Sequence, residues 1–97
     1  MTVNIERNYE LATMGISGRL DAATAPNLEK IINEFPEDTK ELVFDMSGVE
    51  YISSAGISVL LSAYKKMKSN HGTMRIEKAG DKLCEVFEMT GLSEILG

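Results

Sequence analysis

The segment from Phe44 to Lys66 constrains the fold more than any other part of the chain, because strand-like patterning gives way to helix-like patterning within a few residues. It opens on an apolar run, crosses a short polar stretch and continues with apolar residues spaced three and four apart. That spacing places one buried stripe on a helix. The stripe consists of Ile57, Leu60, Leu61, Tyr64 and Met67. The segment therefore predicts a strand that leads through a loop into a helix.

Two adjacent serines, Ser53 and Ser54, stand where this helix begins. A hydroxyl at a helix start can cap the helix, and it is also accessible to a protein kinase. At about 100° per residue, the face opposite the stripe lacks the ion pairs typical of a solvated helix. This serine face consists of Ser54, Ser58, Ser62 and Lys65, with Ala55 and Val59 at its border. We interpret it as a docking face; the alternative is that Ser58 and Ser62 are only tolerated on an exposed surface.

Before this segment, the pattern predicts two strands and a helix. Alternating apolar residues favour strands at Val3–Tyr9 and Leu11–Ser17, joined by a turn at residues 8–10. A helix then starts at Asp21 or Thr24, because Pro26 fits only within a first helical turn. Pro36 is expected to end this helix. Its inward stripe consists of Leu28, Ile31, Ile32 and Phe35.

The central strand is predicted at Glu41–Met46, and its unbroken apolar run indicates burial on both faces. The serine-bearing helix follows and stops at residues 70–72. A fourth strand at Thr73–Glu77 and a third helix at Asp81–Thr90 come next. Gly91 is expected to cap that helix, with Leu92 folding back onto it, before a short apolar tail at 93–97. The inward residues of the third helix are Leu83, Val86 and Phe87.

This alternation predicts a mixed α/β sheet with helices packed on one face. The predicted order is β-β-α-β-α-β-α, followed by a short C-terminal element, and 97 residues are expected to form a single domain, residues 1–97. Because loops that follow strands meet at one end of such a sheet, Asp21 and the loop from Met46 to Ser54 should lie near each other.

Composition excludes several functions. A net charge of −5 argues against nucleic acid as a partner, and no apolar run is long enough for membrane insertion. One cysteine cannot form an internal disulfide, so a reduced, cytoplasmic setting is expected. Neither the single histidine, His71, which sits in a turn, nor the single cysteine, Cys84, suggests a catalytic residue or a metal site. We expect no enzyme activity, no metal and no cofactor.

Three stretches resemble the STAS domain family, and specifically its small free-standing bacterial members. They are GRLDAATAP at Gly18–Pro26, ELVFDMSGVEYISSAG at Glu41–Gly56 and MTGL at Met89–Leu92, of which the middle one is the most specific. The resemblance covers nearly the whole chain and implies a STAS-type mixed sheet with the predicted element order.

The resemblance also implies a phosphorylation site. In the family, the loop before this helix usually reads Asp-Ser-Ser or Asp-Ser-Thr before a glycine, and the serine after the Asp is phosphorylated. Matching that glycine to Gly56 places the phosphoacceptor at Ser54, with Ser53 where the family often has Asp and Ala55 where it often has Ser or Thr. Ser53 is the better N-cap, although its own hydroxyl leaves it as an alternative acceptor.

The family's function is then implied as well. Such proteins are anti-sigma factor antagonists: unphosphorylated, they bind an anti-sigma factor that is a serine kinase and free a sigma factor, and a serine phosphatase reverses the modification. Asp21 matches the acidic residue that the family presents to the kinase, while its structural alternative is a helix N-cap. The predicted partner-binding residues are Asp21, Thr24, Ser53, Ser54, Ala55, Gly56 and Ser58. The alternative function is a non-switching STAS subunit of a lipid-transport or other protein complex.

Overall fold

The protein is described by a computed structural model at residues 1–35 and 38–92. Seven elements follow one another in the order β-β-α-β-α-β-α. They are β1 Thr2–Asn8, β2 Leu11–Leu20, α1 Ala25–Asn33, β3 Glu41–Ile52, α2 Ser54–Ser69, β4 Thr73–Glu77 and α3 Asp81–Met89. The predicted fold class and element order are confirmed, whereas Pro36 and the tail at 93–97 lie outside the described residues.

The four strands form one mixed sheet in the order β1-β2-β3-β4. The hairpin of β1 and β2 is antiparallel, while β2 with β3 and β3 with β4 are parallel. A helix connects each parallel pair, as a parallel crossover requires. β3, the longest strand, is therefore joined to both of its neighbours in the sheet by helical crossovers, through α1 to β2 and through α2 to β4.

One face of this sheet forms the core with the helices. Alternate residues in the first parts of β2 and β3 and in β4 are buried there, and Met14, Phe44 and Ile76 lie side by side across the three strands. Leu28 of α1, Leu60 of α2 and Phe87 of α3 join the same buried cluster. Val43, on the opposite face, is also buried, which confirms that the central strand is buried on both faces.

Two strands are longer than their patterns predict. β2 runs to Leu20 instead of Ser17, and β3 runs to Ile52 instead of Met46, so most of the expected loop before α2 is strand. The pairing of β2 with β3 continues through two irregularities, at Gly15/Ser17 and Gly18/Arg19. The glycines and serines that are typical of loops therefore lie at bulges within the β2–β3 pairing and do not end it.

The buried face of α2 differs from the predicted stripe. Leu60 and Met67 are buried as expected, but Val59 is buried at 6% exposure and Leu61 is 37% exposed. Gly56 and Ala63 are buried as well. Compared with the predicted stripe, the buried face of α2 is therefore rotated about the helix axis and contains more small residues. α2 lies against both α1 and the sheet, and small side chains on this face allow that close packing. The predicted positions of Val59 and Leu61 are therefore wrong.

α3 ends one residue earlier than predicted, and its C-cap is Thr90 instead of Gly91. Thr90 is the C-cap and Gly91 adopts a positive φ of 80°, a conformation that favours glycine. The N–H of Leu92 then donates to the carbonyl of Phe87 at 2.8 Å, and the Leu92 side chain is 5% exposed. The chain thus folds back onto α3 as expected.

Candidate functional site

The candidate site lies where β2 and β3 end beside each other. Leu20 pairs with Ile52, and the N–H of Ser53 donates to the carbonyl of Leu20 at 2.9 Å. The two segments that follow these strands therefore emerge together. This confirms that Asp21 and the serines lie at the same end of the sheet, although the approach to the serines is a strand and not a loop.

Ser53 and Ser54 have different roles at the start of α2. Ser53 is the N-cap: its backbone is extended, its carbonyl accepts from Ile57 N–H at 3.0 Å, and its Oγ accepts from Gly56 N–H at 3.4 Å. Ser54 is the first helical residue and is exposed. The side chain of Ser53 is thus used by the helix itself, whereas Ser54 presents its hydroxyl beside the positive end of the helix dipole.

Gly56 fixes α2 against the ends of the two strands. A Cβ at this position would lie 2.8 Å from Leu20 Cγ and from Ile52 Cγ1, and 2.9 Å from the Leu20 carbonyl oxygen. Those distances are shorter than any van der Waals contact, so only glycine allows the first turn of α2 to approach this closely. The glycine of the serine motif therefore determines where the Ser54 hydroxyl is presented.

Asp21 and Thr24 close the turn that precedes α1. Asp21 Oδ1 accepts from the N–H of Ala23 at 3.0 Å and of Thr24 at 3.2 Å. Thr24 Oγ1 accepts from Asp21 N–H at 2.9 Å and donates to the Arg19 carbonyl at 2.8 Å. Thr24 is the N-cap residue of α1, without a side-chain capping bond, so Asp21 closes the turn before the helix and is not its N-cap. Both residues are thus structural, and one carboxylate oxygen of Asp21 remains outside the turn.

That second oxygen faces Arg19, a residue that the sequence patterns do not single out. Asp21 Oδ2 lies 3.6 Å from Arg19 Nε, and the Arg19 guanidinium carbon lies 4.3 Å from the centre of the Tyr51 ring. Desolvation raises the pKa of Asp21, but hydrogen bonds from Thr24, Ala23 and Arg19 outweigh it, so the pKa lies below its ordinary value. Asp21 therefore carries a stable negative charge at neutral pH.

A groove of about 240 Å³ separates α1 from α2 beside the serines. Small side chains form most of its wall, and Glu29 supplies its only charge. The lining residues are Ala22, Ala25, Pro26, Glu29, Ala55, Ser58, Val59 and Ser62. The structure thus brings together all seven predicted partner-binding residues at this end of the molecule: Asp21 and Thr24 before α1, and Ser53 to Gly56 and Ser58 at the start of α2.

Two sequence signals could have found more of the site. Arg19 belongs to the same short motif as Asp21, and Tyr51 stands two residues before Ser53 at a strand position. Arg19 of β2 pairs with Tyr51 of β3. This pair is not predicted, because the second half of β3 is expected to be a loop. Within the described residues, no three His, Cys, Asp or Glu side chains converge on a possible metal site. No helix in the described part of the chain has the length and apolarity of a membrane span.

These features define a small α/β domain that displays a capped helix start carrying an exposed serine. Residues 2–97 match the STAS domain, and the chain belongs to that family.

Sequence relatives carry a common name. The anti-sigma-B factor antagonist of Bacillus subtilis (strain 168) is 26% identical over 96 residues, which cover 99% of this chain and 88% of that protein. The anti-sigma-B factor antagonist of Staphylococcus aureus (strain NCTC 8325) is also 26% identical, over 99 residues, covering 99% and 92% of the two chains.

Solved structures share the fold. The anti-sigma factor antagonist SpoIIAA in its unphosphorylated form aligns with a TM-score of 0.87 at 15% identity, covering 99% of this chain and 86% of that one. An anti-sigma factor antagonist from Mycobacterium paratuberculosis aligns with a TM-score of 0.80 at 28% identity, covering 98% and 81%.

Proposed function

We propose that this protein is an anti-sigma factor antagonist controlled by phosphorylation of Ser54. Unphosphorylated, it binds an anti-sigma factor that is a serine kinase and so frees a sigma factor; a serine phosphatase restores this form after modification. The observation that carries the proposal is that the two serines at the start of α2 differ: Ser53 caps the helix, whereas Ser54 is exposed. The antagonist names of the two sequence relatives support the same role.

The proposed contact surface surrounds Ser54. It includes Asp21, which presents one carboxylate oxygen, and the small residues at the mouth of the groove between α1 and α2. Small side chains let a partner backbone approach closely, and a neutral hydroxyl at the centre costs much less to desolvate than a charged group. The proposed residues are Asp21, Thr24, Ser53, Ser54, Ala55, Gly56 and Ser58.

Phosphorylation is expected to act on this contact and not on folding. A phosphoserine adds about −1.5 to −2 charges, and at a helix start these charges stabilise the helix. The free domain therefore keeps its structure. In a contact built for a neutral hydroxyl, however, the new charge is desolvated without a partner, and about 4 kcal/mol is enough to weaken binding about a thousandfold.

The proposal extends to the protein as a whole. The full chain, residues 1–97, is proposed to act as one regulatory binding domain in the cytoplasm, without a catalytic step of its own. Its chemistry is limited to accepting and losing a phosphoryl group at Ser54, which the kinase and the phosphatase perform.

The experiment that tests this is intact-mass spectrometry with site mapping, after incubation with ATP and each anti-sigma-type serine kinase of the same organism. We expect one added phosphate at Ser54, absent in Ser54→Ala. Ser53→Asp is the matched control, because it keeps a capping side chain and removes the competing hydroxyl. A phosphate that disappears in Ser53→Asp would move the acceptor to Ser53. Absence of phosphate with every kinase would contradict the switch and favour the non-switching subunit.

A further inference from the structure

The two neighbours of β3 pair with it over different lengths. β2 pairs from Glu41 to Ile52, whereas β4 pairs only from Glu41 to Asp45. Asp45 Oδ1 accepts from Ser47 N–H at 3.0 Å just beyond the last pair with β4. Within residues 1–35 and 38–92, no strand pairs with Val49–Ile52 on the side of β4. This open edge of β3 is a template for another extended chain.

An apolar cleft of about 410 Å³ lies beside the open edge. β3 forms one wall through Val49, Tyr51 and Ile52, and the first turns of α3 form the other through Leu83 and Val86. Tyr51 is 43% exposed, so a large part of its ring is open to solvent. An open strand edge beside pockets for apolar side chains is the arrangement by which proteins add a peptide strand.

The cleft is continuous with the surface proposed to bind the kinase. Ile52, in its wall, directly precedes Ser53, and Tyr51 lies under the Arg19 guanidinium that contacts Asp21. Its charged residues are Glu50, Asp81 and Lys82, so carboxylates outnumber the single amine. An extended segment that carries a basic residue beside apolar ones complements this rim.

We propose that the anti-sigma factor kinase adds an extended, apolar and basic segment to the open edge of β3 at Val49–Ile52. This rests on the proposed function and deepens it: the partner contacts the Ser54 surface and anchors itself by strand addition in the adjacent cleft. Main-chain hydrogen bonds to β3 supply affinity, and the cleft selects the side chains.

The test uses the full chain and the kinase that phosphorylates it. Gly80 lies in the cleft wall with an extended backbone, φ −69° and ψ 167°, and a Cβ there meets nothing within 4 Å. Gly80→Trp therefore adds bulk to the cleft wall without a clash at Cβ, although it replaces the N-cap glycine of α3. Glu88→Trp is the matched control, because it adds the same side chain at an exposed position of α3 that does not line the cleft.

We expect Gly80→Trp to weaken kinase binding about tenfold or more and Glu88→Trp to leave it unchanged, both measured by calorimetry. Within Val49–Ile52, the amides that point away from β2 should exchange fast in the free protein and slowly in the complex, as measured by hydrogen–deuterium exchange. The inference is overturned if Gly80→Trp binds like the wild type, or if these amides exchange equally in both states. Failure of the proposed function is separate, since the wild-type protein would then bind no kinase at all.

Discussion

The two helix starts at the candidate site, those of α1 and α2, use their polar side chains differently. Before α1, Asp21 and Thr24 direct their side chains back into the turn, where they bond Ala23, Thr24 and Arg19 backbone groups. At the start of α2, a single serine caps the helix and the next serine is exposed. One helix start is closed by its own hydrogen bonds, while the other leaves a hydroxyl available.

This difference separates structural from modifiable polar groups. A hydroxyl that donates to the backbone, as that of Thr24 does to the Arg19 carbonyl, loses that bond when it is phosphorylated, whereas the hydroxyl of Ser54 is exposed at a first helical turn. Within Asp21, Oδ1 closes the turn before α1 and Oδ2 faces Arg19. If the α2 start is a switch and the α1 start a fixed support, substitutions at the two helix starts should have different effects on binding and on stability.

The largest effect is expected for Ser54→Asp. A carboxylate at this position should weaken kinase binding about a thousandfold, or about 4 kcal/mol, because it is desolvated in a contact built for a hydroxyl. The melting temperature should be unchanged or slightly higher, since a negative charge suits a helix start. Titration calorimetry and thermal unfolding measure the two quantities. Ser69→Asp, at the other end of α2, is the control and should bind normally; unfolding of Ser54→Asp would contradict a switch that acts at the interface.

Gly56→Ala should destabilise the domain by about 1–3 kcal/mol, because the added methyl group overlaps Leu20 and Ile52 at the junction of α2 with the sheet. Urea unfolding measures the change. Gly80→Ala is the comparison: its Cβ meets nothing within 4 Å, and the poorer N-cap of α3 opposes the lower entropy of the unfolded chain, so the free energy of unfolding should change by less than about 1 kcal/mol. Equal stabilities of the two variants would refute the close approach at Gly56.

The sequence predicts the fold well because its strongest patterns lie in the core. Hydrophobic periodicity, together with glycine and proline signals, predicts each of the seven described elements. The Ser53 N-cap and the positive φ of Gly91 after α3 follow from local backbone chemistry. Two features are missed because they depend on distant partners. β3 continues past Gly48 since β2 pairs with it, and α2 turns Val59 inward since it packs against α1 and the sheet together. The Arg19–Tyr51 contact depends on that same hidden pairing.

Ser53→Ala should lower the free energy of unfolding by about 0.5–1 kcal/mol, since it removes the one side-chain cap of α2. The 3.4 Å length of the capping bond places the expected loss at the lower end of the range for N-caps. Ser53→Asp should restore wild-type stability, because a carboxylate caps a helix as well as a hydroxyl. A stability of Ser53→Ala equal to the wild type would show that the α2 start needs no side-chain cap.

The smallest effect, and the one that bears on the α1 start, is the pH dependence contributed by Asp21. Its folded pKa lies below the ordinary value of 3.8 because hydrogen bonds to the charged carboxylate outweigh desolvation. A lowered folded pKa means that the unfolded chain binds the proton more tightly. The stabilisation is therefore present above pH 3.8 and is lost as the pH falls through the folded pKa.

Asp21→Asn, which keeps the Oδ1 acceptor, should be less stable than the wild type at neutral pH and should approach it in acid. Urea unfolding of both proteins along a pH series measures this, and a stability difference that does not change with pH would show that the carboxylate charge does not support the α1 start.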